Sequence, residues 1–245
     1  MLEHPRLMPS VRRVLDQELP AFLFGQVAPD VQVISGQKRE STHFYSLPAR
    51  PEAVPPWERI LQYYPELNCD PAKPQKCAFI AGYLCHLQAD WFWSGRIFEP
   101  YFGPRANWKD FRERLYLHNV LRAYLDFGVL QTLNGEVRTG LSRATLQDWL
   151  PFVEKHHLQT WRDFLADQLK PGAAIQTVEV FAARQGISVE AYYQLIQADD
   201  EMQRQIFDFL PRQCLDDYHA MLINANLALM NDYLVAMEGD LNAHN

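Results

Sequence analysis

The chain is poor in the features that would mark several common classes of protein. Its four cysteines in 245 residues, Cys69, Cys77, Cys85 and Cys214, follow neither a zinc-finger nor a disulfide-framework spacing. They read as reduced, buried small residues of a protein kept in a cytosol. No run of about eighteen apolar residues occurs. The longest candidate, 77–93, is broken by His86, Gln88 and Asp90, which are costly in lipid, so no transmembrane segment is expected. Basic residues are not in excess: 23 Lys and Arg stand against 30 Asp and Glu, a formal net charge of −7 with no block of like charge. That balance argues against a duplex nucleic-acid partner, which is held by neutralising phosphates. The stretch "MLEHPRLMPSVRRVLDQELP" lacks the continuous apolar region of a signal peptide, and a cytoplasmic location is expected. Also missing are a Gly-x-Ser-x-Gly elbow, a phosphate-binding P-loop, a dinucleotide fingerprint, internal repeats and low-complexity segments.

What is present is apolar and helical. At 48% hydrophobic and 13% aromatic, the chain can fill one sizeable core, and a single domain over 1–245 is expected. Apolar residues recur at three-and-four spacing over 57–65, 76–98, 107–134, 142–168, 173–185, 188–209 and 211–238, which predicts an all-α fold. Ser142 and Ser188 stand where N-caps are expected, and Gly103, Gly135, Gly172 and Gly186 mark breaks. Residues 21–56, punctuated by Gly25, Pro29, Gly36, Pro48, Pro51, Pro55 and Pro56, read as a long irregular connection that is too apolar for disorder. The Met and Leu stripe of "DYHAMLINANLALMNDYLVAM" reads as core packing first and as a homodimer contact second.

The chemistry concentrates in "AGYLCHLQADWFW", residues 81–93. It is apolar on almost every face, as a central buried helix would be, yet it carries His86 and Asp90 on one side, four residues apart. A carboxylate in such a setting must be paired, hydrogen-bonded or bound to a cation. The pair alone is equally explained by a His–Asp hydrogen bond in the core. The preceding segment adds Asp30, in "APD", and His43, in "THF". Two histidines and two carboxylates suit zinc, with Mn, Fe or Mg as weaker alternatives.

The ordered pieces "FGQVAPD", "THFY" and "GYLCHLQADWFW" resemble the zinc-dependent phospholipase C-like family, the all-helical fold of bacterial phospholipase C and the single-strand-specific zinc nucleases. The resemblance covers roughly residues 1–135, with 136–245 expected as additional helices packed on that core. It implies that Asp30, His43, His86 and Asp90 surround one zinc, with His4 as the amino-terminal ligand of a second. The family's later His-x-x-x-Glu helix aligns with "LHNVLRAYLD", giving His118. Arg122 stands at the Glu position there, and Asp126 lies one turn on. Because a guanidinium cannot ligate zinc, one or two ions are expected rather than three.

The expected function is therefore a zinc-dependent hydrolase of a phosphoric ester, acting on a small phosphorylated substrate or a phospholipid through a metal-bound hydroxide. Asp30 and Arg122 are the expected catalytic residues, and Arg39, Arg122 and Asp126 the expected substrate contacts, with Arg122 gripping phosphate in place of the lost ligand. Lys38 and Arg39 also read as solvated loop charges, and Arg122 as a helix-surface partner of Asp126. The alternative function is a non-catalytic helical protein that keeps one metal in a degenerate site. His156 and His157, adjacent on a helix, face different ways and are not expected to share a metal.

Overall fold

The computed structural model describes residues 2–47, 53–133, 135–170, 178–179, 182, 186 and 188–237. Among them it is 74% helical, with twelve α-helices and no strand. The expected helix at 173–185, with Gly172, falls almost wholly outside the described residues.

The longest apolar stretch does become the central helix. α6, Pro74–Trp93, is buried on every face from Cys77 to Cys85 and again at Leu87 and Gln88, and it runs directly into a π-helical stretch, Ser94–Phe102. Burial loosens toward its carboxyl end, where His86 and Asp90 are only partly enclosed. The two residues thus lie where the helix emerges toward the surface, not in the dry interior that the apolar run suggests.

The segment expected to be irregular is largely helical. α1 (Pro9–Gln17) and α2 (Leu19–Gly25) are followed by a 3₁₀ turn (Ala28–Val31), α3 (Gln32–Ser35) and α4 (Arg39–His43). The prolines that suggested breaks instead open helices. Pro9, Pro20, Pro29, Pro56, Pro65 and Pro74 all lie in the first turn of an element, where a missing N–H costs nothing and φ is already helical. α5 (Pro56–Tyr63) and α7 (Phe111–Thr132) match their expected positions to within a few residues. Of the helix expected over 142–168 only the second half forms, as α9 (Lys155–Gln168); residues 144–154, with Pro151, are not helical, and a separate helix, α8 (Gly135–Arg143), precedes them. Ser142 accordingly caps nothing; its hydroxyl donates to the Thr139 carbonyl at 2.8 Å. Ser188 does cap α10 (Val189–Gln197), accepting from the Ala191 N–H at 3.1 Å. α11 (Asp199–Met202), a second π-helical stretch (Gln203–Phe207) and α12 (Arg212–Tyr233) complete the described helices.

Apolar packing does not divide at residue 135. One core joins α1, α2, α5, α6, α8, the start of α9 and the later half of α12. The other joins the 94–102 stretch, α7, α10, α11 and the first half of α12. α12 belongs to both, through Leu215 and Tyr218 on one side and Leu227 and Met230 on the other.

α2 and α6 cross with their backbones almost touching. A Cβ on Gly25 would lie 2.0 Å from the Phe79 carbonyl oxygen, and one on Gly82 would lie 2.2 Å from the Phe22 carbonyl oxygen. Only glycine fits at either point, and neither obstacle is a side chain that could swing away. Gly82→Ala is therefore expected to force the helices apart and to cost at least about 1–3 kcal/mol. Gly95→Ala, where an added Cβ meets nothing within 4 Å, should stay within about 0.5 kcal/mol. Chemical denaturation of the two variants checks this, and equal stabilities would refute the crossing.

Candidate metal centre

The α2–α6 crossing brings the end of α2 against the second half of α6, and the chain turns there into the 3₁₀ segment that carries Asp30. Trp161 of α9 holds this turn from the other side, its indole N–H donating to the Val27 carbonyl at 2.7 Å. α4 then lies alongside, so that His43, its last residue, points at the same spot. The Tyr83 hydroxyl fixes this end of α4 by donating to the Thr42 carbonyl at 2.6 Å.

Four of the expected ligands converge. The Nε2 atoms of His43 and His86 are 3.3 Å apart. His43 Nε2 lies 3.5 Å from Asp30 Oδ1 and 3.4 Å from Asp90 Oδ2, and His86 Nε2 lies 4.0 and 3.8 Å from the Oδ2 atoms of the same two residues. Zinc bonds of about 2.0–2.2 Å at tetrahedral angles put neighbouring ligand atoms roughly 3.3–3.6 Å apart. Three of the five observed separations, 3.3, 3.4 and 3.5 Å, are of that size, and the two from His86 to the carboxylates, 3.8 and 4.0 Å, are too long for direct hydrogen bonds.

The second ring nitrogens fix how the two rings are turned. His86 Nδ1 is 2.7 Å from the Gln26 carbonyl, an acceptor only, so Nδ1 carries a proton and Nε2 is the atom turned toward the cluster. The Thr42 hydroxyl lies 2.9 Å from His43 Nδ1 and 3.2 Å from the Arg39 carbonyl, so His43 Nδ1 is engaged behind the ring and Nε2 is turned toward the cluster. Burial holds the His43 pKa below the ordinary imidazole value, against the pull of Asp30. Two ring nitrogens 3.3 Å apart between carboxylates are an arrangement that either a proton or a metal cation can bridge. The carbonyl and hydroxyl behind the rings are the type of outer support that orients metal-ligating histidines.

Burial grades the set: His43 is fully enclosed, His86 is 14% exposed, and the side chains of Asp90 and Asp30 are 37% and 41% exposed. Asp30 is crowded by protein but open on one side, as a group on a cleft wall would be. Burial alone would raise its pKa, but the His43 contact and the charges of His86, His43 and Arg122 outweigh burial and hold it well below the carboxylate range. Among the described residues, the ligand atoms that all lie within 4.8 Å of one another are those of Asp30, His43 and His86. Asp90 stands beside this trio with its Oδ2 ion-paired to Arg39. Arg39 is itself aligned by the Tyr45 hydroxyl, 2.9 Å from its guanidinium, and by the Tyr45 ring 4.6 Å beneath it. One guanidinium nitrogen of Arg39, Nη1, is buried and has no hydrogen-bond partner.

The remaining expected ligands lie elsewhere. His4 accepts the backbone N–H of Arg6 on Nδ1 at 3.2 Å, in a turn tied to α12 by Arg6 and Asn224. His118 turns into an aromatic nest of Trp93, Phe98 and Phe102, and its Nε2 accepts the Trp93 indole N–H at 2.9 Å. Neither joins the trio. Burial first, and Arg122 second, push the His118 pKa down to about 3. Arg122 lies on the exposed side of α7, one turn from His118 and from Asp126, and its charge reaches Asp30. Burial raises the Asp126 pKa, partly offset by Arg122. Sequence reasoning gave no role to Tyr45 or to the Gln26 carbonyl. Thr42 could have been read from its place just before His43.

Two outcomes are expected. Zinc in hundredfold excess over its dissociation constant should stabilise the chelator-treated parent by about 2.7 kcal/mol. The rise should vanish in His86→Ala and Asp30→Asn, and a zinc-dependent shift in melting temperature that survives both substitutions would sink the site. The second outcome concerns His118, whose folded pKa of about 3 lies below its ordinary 6.5. Its neutral form is favoured by folding, so its contribution is complete above 6.5 and is lost as pH falls from there toward 3. His118→Gln keeps an acceptor for Trp93 and removes the titration. Melting temperatures recorded across that range should fall less steeply for the variant than for the parent; parallel curves would refute the assignment.

Comparison with protein-family models, curated proteins and solved structures finds no match to this chain, so its likeness to the zinc-dependent phospholipase C-like family rests on the motif residues alone.

Proposed function

We propose that the chain is a hydrolase of phosphoric esters that depends on one zinc ion held by Asp30, His43 and His86. The observation that carries this reading is the convergence of the His43 and His86 rings and the Asp30 carboxylate, with ligand atoms within 4.8 Å of one another, beside the Arg39–Asp90 ion pair. Two imidazoles and a carboxylate, with a further position left open, are a donor set of catalytic rather than structural zinc. When bound, such an ion supplies an acidified water and polarises a phosphoryl oxygen.

The other steps belong to the chain. Asp30 and the two histidines fix the cation on the cleft wall. Arg39, part-exposed and held in place by Tyr45 and Asp90, offers its guanidinium to an anionic oxygen, so a phosphoryl group can be gripped without new ordering of the side chain. Asp90, oriented by Arg39, is placed to accept a proton from the attacking water. Arg122 on α7 adds positive potential at Asp30 and so favours an anionic substrate. These supports favour the enzymatic reading over a closed metal site with a purely structural task.

A panel of phosphomonoesters, phosphodiesters and phospholipids, offered to zinc-loaded protein, tests the reading. Arg39→Ala should lower kcat/KM on the preferred ester by roughly 10–150-fold, the value of one charge-assisted contact of about 1.5–3 kcal/mol, while zinc content stays stoichiometric. Arg122→Ala should lower it less. Turnover of no phosphoric ester by the zinc-loaded parent would overturn the proposal and leave the metal centre standing.

A further inference from the structure

Away from the metal centre, two cysteines lie in unusually close contact at the opposite end of α6. The sulfurs of Cys69 and Cys77 are 2.7 Å apart, well inside the sum of two sulfur radii but not bonded. Neither is carried by a loose segment. Cys77 sits in the second turn of α6, with its N–H on the Lys73 carbonyl at 3.0 Å. Cys69 follows the 3₁₀ turn Pro65–Leu67, whose Leu67 carbonyl accepts the Tyr233 hydroxyl of α12 at 2.6 Å. The turn between the cysteines is closed by the Lys73 N–H on the Asp70 carbonyl at 2.8 Å, the Ala72 N–H on the Asp70 carboxylate at 3.1 Å, and the Lys73–Asp70 ion pair at 3.0 Å.

Their surroundings differ. The Cys69 thiol donates to the Cys77 sulfur, which also accepts the Asp70 N–H at 3.2 Å. The two sulfurs share one hydrogen-bond contact and titrate as a pair, so access decides which of them an oxidant meets first. Cys69 is half-buried and reachable, whereas Cys77 is buried. The other two cysteines lack such a partner sulfur: Cys85 is buried, and Cys214 contacts the Tyr101 hydroxyl at 3.1 Å.

We propose that Cys69 and Cys77 form a redox modification site that closes to an intrachain disulfide by exchange with a small-molecule disulfide. The Cys69 sulfur attacks one sulfur of the oxidant, whose S–S bond breaks, and the first thiol departs with the Cys69 proton. The Cys77 sulfur then attacks the Cys69 sulfur of the mixed disulfide. The second thiol departs with the Cys77 proton, and two chain thiols have been oxidised while one disulfide has been reduced to two thiols. The positioning of both sulfurs before reaction is what sets this pair apart from two cysteines that happen to be eight residues apart.

The test is oxidation of the folded full chain with glutathione disulfide, followed by alkylation in denaturant and peptide mapping. Free thiols should fall from four to two, with Cys69 linked to Cys77, and dithiothreitol should restore all four. In Cys77→Ser the exchange should stop at one glutathione per chain, on Cys69. Retention of four thiols by the parent, a stable glutathione adduct on its Cys69, or linkage through Cys85 or Cys214 would each overturn the proposal.

Discussion

The contact between Gly25 and Gly82 is the constraint from which the rest of the cleft follows. With no Cβ on either residue, the α2 and α6 backbones approach until carbonyl oxygens occupy the space side chains would need. That approach puts the Gln26 carbonyl, just past the end of α2, against His86 one turn farther along α6. It also sets the direction in which the chain leaves for Asp30. A helix pair at ordinary spacing, 8–10 Å between axes, would leave the Gln26 carbonyl out of reach of the His86 ring. Metal-binding geometry here is thus a property of backbone packing as much as of the ligands.

Charge is concentrated at this packed corner. Two carboxylates stand beside two imidazoles, and one cationic side chain, Arg39, already balances one of the negative charges. On the proposed reading a metal cation balances the other, and the Arg39 guanidinium beside it meets an anionic oxygen.

Much of this was readable from residues, and what was not has identifiable causes. The helix of 76–98 and the ligand order Asp30, His43, His86, Asp90 were legible because apolar periodicity and motif spacing are local. Gly25 and Gly82 lie inside the same motifs, but their closeness is a long-range fact that no local pattern carries. The short helices over 19–43 were hidden by prolines, since Pro20 and Pro29 look alike whether they end one helix or start the next. His118 kept the spacing of a ligand but was captured by Trp93, Phe98 and Phe102, aromatics that seemed plain core. Arg39 read equally as a solvated charge until Tyr45 and Asp90 were seen to enclose it. The split of the core escaped for a similar reason: α12 is one continuous helix whose two halves serve different neighbours.

That dual service of α12 bears on how the chain comes together during synthesis. All the converging residues, from Asp30 to Asp90, emerge early, yet the helix that ties down Leu67 and contributes to both cores emerges more than a hundred residues later. Until it arrives, both cores have an uncovered apolar face, and an early-formed cluster of imidazoles and carboxylates waits in a half-built wall. The nascent chain therefore passes through a long interval in which its stickiest surfaces are open and its ligands already exist, an interval in which chaperone capture and premature metal binding compete.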